Sequence, residues 1–175
     1  MSATRDDALA TLEEGHRLIG NLFALLSDEQ LARPATLAGG DWSAKDLLGH
    51  ISSWEEYALR ALEEWRRGER PWVEDVFRTP DEVDRVNSEA MLARSAMLPD
   101  QVRGSAEASF KALADAVRSM PDDEWRSRAP YEADRRTRLG NLLGSVTGAP
   151  QRPFGHAFAH LIDLESYVAS LATNR

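Results

Sequence analysis

Apolar residues return every three or four positions through four long stretches of this chain, and nowhere do they alternate strictly with polar ones. That period belongs to a helix with one buried stripe; a half-buried strand would show a period of two. The first stripe is Leu9, Leu12, Ile19, Phe23 and Leu26, with His16 at its edge. The second is Leu47, Ile51, Trp54, Ala58, Leu62 and Trp65, with His50 on or beside the inward face. Val102, Ala106, Phe110, Leu113, Val117 and Met120 make the third, and Phe154, Phe158, Leu161, Leu164, Val168 and Leu171 the fourth.

Local signals bound these stretches. Ser27 with Gln30, and Ser43 with Asp46, have the spacing at which an N-terminal hydroxyl and a side chain three residues on satisfy each other's backbone donors. Thr79-Pro80-Asp81-Glu82 places a cap, a proline at the first helical position and acids in the first turn. Pro34 with Gly39-Gly40, Gly68 with Pro71, and Gly148 with Pro150 mark loops. The expected helices run from about Arg5 to Ser27, Ser43 to Arg67, Pro99 to Met120 and Pro153 to Thr173. Shorter ones are expected over 81–97 and 139–146. A bulky Trp72 in the link over 68–80 reads as a plug at the end of the core, and residues 126–136 read as a polar loop. The expectation is an all-α fold, a four-helix bundle with short extra helices in its connections, as one domain over 1–175.

Composition removes several functions. The chain has no cysteine, which excludes disulfides, a thiolate nucleophile and cysteine-ligated zinc. Its net charge of -8 argues against nucleic acid as a partner, since phosphate binding needs a basic face. No run reaches the ~18 apolar residues of a membrane span, and Met1 to Ala10 lacks the apolar centre of a secretory signal. A cytoplasmic protein with neither membrane nor nucleic-acid partner is the expectation.

Two of the four histidines, His156 and His160, are four residues apart near the C-terminus. On a helix that spacing puts both imidazoles on one ridge, continued by Asp163 and Tyr167. A histidine from a neighbouring helix, with His50 in suitable phase, would complete three ligands and leave an ion an open coordination position. Zinc, nickel, iron or cobalt would all accept such ligands. The pair alone is equally compatible with surface histidines, or with buried ones bonded to carbonyls.

The segment Asp41-Trp42-Ser43-Ala44-Lys45-Asp46-Leu47-Leu48-Gly49-His50-Ile51 with Trp54-Glu55, the Asn87-x-x-Ala90 helix start and the final His156-x-x-x-His160 resemble the DinB/YfiT-like superfamily. The finer pattern is similar to its ClbS/DfsB branch, and the likeness extends over most of the chain. It implies a four-helix bundle with a divalent metal, zinc or nickel, held by His50, His156 and His160. It further implies a small-molecule substrate, a low-molecular-weight thiol such as mycothiol as cosubstrate, and a homodimer. Relatives include thiol transferases and isomerases, and a hydrolase that opens a genotoxin's cyclopropane. The sequence departs from the family in the link before His156, lengthened by Gly148 to Phe154. That insert either shapes a substrate cleft, with Arg152 as an anion contact, or displaces one histidine.

Two functions follow as expectations. One is a metal-dependent hydrolase or thiol transferase acting on an electrophile in detoxification or self-resistance, with Glu55 or Asp163 as proton acceptor. The other is a non-catalytic binding protein that sequesters the compound, with Trp54, Trp65, Trp72, Trp125 or Tyr131 stacking on it.

Overall fold

In the computed structural model, residues 3–34, 37, 42–131 and 136–173 are described. Gly39, Gly40 and Asp41, and the centre of the expected polar loop, 132–135, lie outside that set. Ten helices follow one another among the described residues: α1 Arg5–Phe23, α2 Asp28–Ala32, α3 Ala44–Arg66, α4 Val73–Val76, α5 Pro80–Arg94, α6 Pro99–Ser119, α7 Asp122–Trp125, α8 Leu139–Val146, α9 His156–Ala159 and α10 Leu161–Thr173. Among the described residues three isolated bridge pairs occur, but no strand. No helix is long and apolar enough to cross a membrane among these residues.

The predicted caps close the helices. Ser43 Oγ accepts from the Asp46 backbone N–H at 3.1 Å, while Asp46 Oδ2 accepts from the Ser43 N–H at 2.9 Å. Ser27 and Gln30 form the same reciprocal pair at the start of α2, so α1 stops at Phe23 rather than at Ser27. Arg103 on α6 donates to the carbonyls of Phe23 and Leu26, satisfying acceptors that the end of α1 leaves open. Lys45 does the same for α5, with Nζ 3.4, 3.0 and 3.1 Å from the carbonyl oxygens of Arg94, Ser95 and Met97. Those contacts explain why α5 ends at Arg94 and not at Met97. The link over 68–80 is ordered and contains the single turn of α4.

A bundle results in which α3 packs against α5, α6 and α8, and α1 against α6, α9 and α10. The fourth corner is therefore composite. The expected continuous last helix is broken: α9 ends at Ala159 and α10 begins at Leu161, with His160 between them. The apolar interior comes in two clusters, one around Trp54, Leu62, Trp65, Leu113 and Leu143, the other around Ile19, Phe23, Leu47, Ile51 and Leu164. Along α3 the change from one to the other falls between Ile51 and Trp54. The polar side chains of His50, Ser52, Ser53 and Glu55 belong to that stretch, and the last three are buried.

Candidate metal centre

His50 comes from α3, two turns in from the Ser43 cap, and its position follows from a regular helix. His156 depends on the insert. Ala149 and Arg152 exchange backbone hydrogen bonds at 3.0 Å around Pro150 and Gln151, closing a tight turn. Phe154 N–H then donates to Gly144 O at 3.2 Å, and its buried ring stacks on Trp125. A Cβ on Gly144 would lie 2.8 Å from that ring, so the glycine is what lets the insert lie on α8. His156 N–H donates to Thr147 O at 3.0 Å, which anchors the start of α9. On the other side, α9 lies close to α1 because Gly15 has no side chain; a Cβ there would be 2.9 Å from the Phe158 ring.

The result is a convergence of three imidazoles. His156 Nε2 lies 3.0 Å from His50 Nε2 and 3.2 Å from His160 Nε2. One ligand nitrogen from each residue falls within 4.8 Å of the others. Nitrogens bound tetrahedrally to one ion at about 2.0–2.1 Å stand about 3.3 Å apart, so the spacing fits a shared ion. Donor chemistry fits as well. Burial pushes His50 down to about 3, helped by His160 and opposed by the Asn87 side chain. Burial also holds His156 well below the ordinary histidine range, with His50 and His160 adding to it. His160 is lowered by burial against the opposing charge of Asp163. All three are therefore neutral imidazoles near pH 7, the form that ligates metals. Among the described residues, Nδ1 of His50 is buried without a hydrogen-bond partner, so none of them supplies the acceptor that commonly orients a ligating histidine.

The three histidines form one wall of a cleft of about 310 Å³. Trp54, Phe77, Val83, Ala149, Pro150 and Ala159 supply apolar lining, and Asn87 and Ser145 are its polar side chains apart from the histidines. Asn87 Oδ1 accepts from Trp54 Nε1–H at 3.0 Å. No carboxylate lines the cleft among the described residues. His156 also borders a small cavity of about 30 Å³ that it shares with Glu55, His16 and Thr147. There Ser109 hydrogen-bonds Glu55 Oε2 at 2.5 Å. Burial pushes the Glu55 carboxyl up to about 8, against the Ser109 bond and with smaller contributions from Glu56 and Glu107. Glu55 is thus a buried, protonated acid at neutral pH, separated from the cleft by the His156 ring.

The other sequence candidates lie elsewhere. Arg152 stacks on the Phe158 ring, 3.4 Å from its centroid, and does not line the cleft. Asp163 is exposed and is not one of the convergent groups. His16 stacks on Phe110 at 3.6 Å and faces Glu107. Trp65 and Trp125 are core residues whose indole N–H groups are spent on Ser127 Oγ and Ala3 O. Tyr131 packs on Trp65, and Trp72 against Tyr57 under Arg60. Phe77 carries no signal of a site in the sequence, whereas Gly148, Ala149 and Pro150 belong to the insert that the sequence offers as a shaper of the cleft.

Residues 11–163 match the DinB superfamily. The chain belongs to that superfamily. No curated protein matches it. Solved structures with the DinB-like fold include an uncharacterised protein from Escherichia coli UTI89, at a TM-score of 0.76 and 10% identity over 97% of this chain and 95% of that one. The colibactin self-resistance protein ClbS in complex with a double-stranded DNA superposes at 0.70, with 11% identity over 93% and 95% of the two chains. The mycothiol-dependent maleylpyruvate isomerase superposes at 0.67, with 18% identity, over 93% of this DinB-superfamily chain and 61% of the isomerase. At these identities the likeness is one of fold. The ClbS complex corrects one expectation: net charge does not exclude nucleic acid, because a protein of this fold is held on duplex DNA. Net charge sums over the whole surface, whereas a phosphate backbone meets only one face.

Proposed function

We propose that this DinB-superfamily protein is a metal-dependent enzyme acting on an electrophilic small molecule, with a divalent ion, zinc or nickel, held by His50, His156 and His160. The observation that carries this reading is the approach of three uncharged imidazoles, at 3.0 and 3.2 Å, on the wall of an apolar cleft. Structural zinc sites are closed by four protein ligands, so three histidines facing an open cleft suit chemistry better than scaffolding. A bound ion would supply Lewis-acid activation of a water or a small thiol. The residues supply the rest. Trp54, Phe77 and Pro150 hold an apolar substrate body and exclude water, and Asn87 offers an amide to a polar substituent. Among the described residues no carboxylate lines the cleft, and Glu55 lies behind the His156 ring, so the proton released by the nucleophile leaves through solvent or the cosubstrate. The mycothiol-dependent isomerase of the same fold supports a low-molecular-weight thiol as that cosubstrate.

A second reading is stoichiometric sequestration, favoured by the apolar lining and by ClbS, a self-resistance protein. Metal analysis of untagged protein tests the shared premise. About one equivalent is expected, and less than about a tenth, with no rise in melting temperature on adding zinc or nickel, refutes it. Incubation with excess electrophile, with and without thiol, then separates the two readings. Several products per protein indicate an enzyme; a plateau at one equivalent indicates sequestration. Duplex DNA belongs among the ligands tried, given the ClbS complex.

A further inference from the structure

The histidine cleft is not the most spacious concavity. A groove of about 620 Å³ lies where the start of α1 meets α7 and α8, lined by Arg5, Arg126, Arg138 and Asn141 together with Asp6 and Asp122. A second, of about 530 Å³, is lined by Arg70, Arg136, Asn141 and Ser145 among others. Asn141 borders both grooves, and Ser145 with Phe77 borders both the second groove and the histidine cleft. Asn141 and Ser145 are one helical turn apart, the exposed ridge of a helix that is otherwise largely buried. The three concavities therefore succeed one another along a single face of α8.

The charge of that face runs against the molecule's. The whole chain carries -8, yet the two grooves are lined by five arginines, Arg5, Arg70, Arg126, Arg136 and Arg138, against three acids, Asp6, Glu74 and Asp122. In the first groove Arg5 is committed to Met120 O, Asp6 and Asp122. Arg126 lies 3.9 Å from the Asp122 carboxylate. Arg138 is half-buried and makes no ion pair or side-chain hydrogen bond with the described residues. A guanidinium withdrawn from water without a partner costs free energy unless a ligand supplies the acceptors, and its planar donors match a phosphate bidentately.

We propose that the arginine groove beside α8 is a second binding site, which takes the phosphate groups of an elongated ligand whose other end reaches the histidine cleft. Phosphate could come from a small ester or from a nucleic-acid strand, and two probes separate these sources. The site contains no histidine, so it stands or falls apart from the metal reading.

The test uses the full chain, isotope-labelled, titrated at low salt with sodium pyrophosphate and separately with a thymidine oligonucleotide of about 12 bases. The expected result is saturable shifts of the Arg126, Arg138 and Asn141 amides, with affinity at least about tenfold weaker in R126A/R138A. The melting temperature of that variant should stay near wild type, since neither side chain supports the fold. R126K/R138K keeps the charge and should retain part of the affinity. Shifts with pyrophosphate alone identify a small phosphate ester. Shifts with the oligonucleotide as well identify a strand, and the slope of log K against log salt should then fall by about 1.4 in the alanine variant. His156→Ala should leave binding of either probe intact. No shift at these amides with either probe, or equal affinity in wild type and R126A/R138A, overturns the proposal.

Discussion

Glu55 illustrates how one side chain changes character when the chain closes around it. In sequence it stands in a helical run of Trp-Glu-Glu-Tyr, a candidate proton acceptor with no local signature of its own. In the fold it is buried against Ser109 and its carboxyl is pushed up to about 8. An acid whose folded pKa lies above its unfolded value favours folding most fully below about 4.5, and that contribution is lost as pH rises to about 8. Glu55→Gln keeps the acceptor for Ser109 and removes the titration. The variant should therefore gain stability relative to wild type by roughly 1.4 kcal/mol per pH unit across that window, and by nothing further outside it. Urea unfolding of both proteins at a series of pH values checks this, and a pH-independent difference would place Glu55 in contact with solvent. The comparison cancels the histidines, which titrate in both proteins.

At the scale of the element, two segments depend on single contacts. Lys45, the lysine of the family motif, has no role at the centre; it closes the end of α5 through three carbonyl oxygens. Lys45→Met preserves the aliphatic stem and removes the donors, and should cost about 1.5–3 kcal/mol. Chemical denaturation measures it, and a loss below a few tenths would mean that water replaces the ammonium without penalty. The insert before His156 is a tight turn rather than a displaced helix start. Gln151 sits at its third position with φ 71°, where a side chain meets the following carbonyl. Gln151→Gly should stabilise the protein by up to about 1 kcal/mol, the left-handed strain removed being partly offset by the entropy glycine adds to the unfolded chain. The mutation lies outside the cleft lining and should leave metal content unchanged.

Across the whole molecule, a site assembled from α3 and the α9–α10 junction ties segments a hundred residues apart. An ion bound there would stabilise the fold as a cross-link does. At a hundredfold excess over its dissociation constant, zinc or nickel should add about 2.7 kcal/mol. For a chain of this size that is roughly 5–10 °C in melting temperature. Calorimetry with and without metal reads the shift. His156→Ala should abolish it, while loss of the shift in wild type alone under chelator would show that it comes from this ion.

Helix positions and most of their ends were legible in the sequence, because caps, prolines and the 3.6-residue period act within four residues of chain. Ser27, Ser43 and Thr79 each cap as their neighbours dictate, and all-α architecture follows from the absence of any period of two. The histidine pair was visible for the same reason, being local. What lay beyond was everything that depends on contacts distant in sequence. His160 stands at a break between two helices, yet its nitrogen still meets that of His156 because the insert and Gly15 fix α9 from both sides. Glu55 became an acid of altered strength, Arg152 went to Phe158, and Arg126, Arg136 and Arg138 came to line the grooves beside α8. Local hydrogen bonding determines where a helix starts and stops. Which of its faces is buried, and which side chains from other helices meet there, is decided only when the bundle packs.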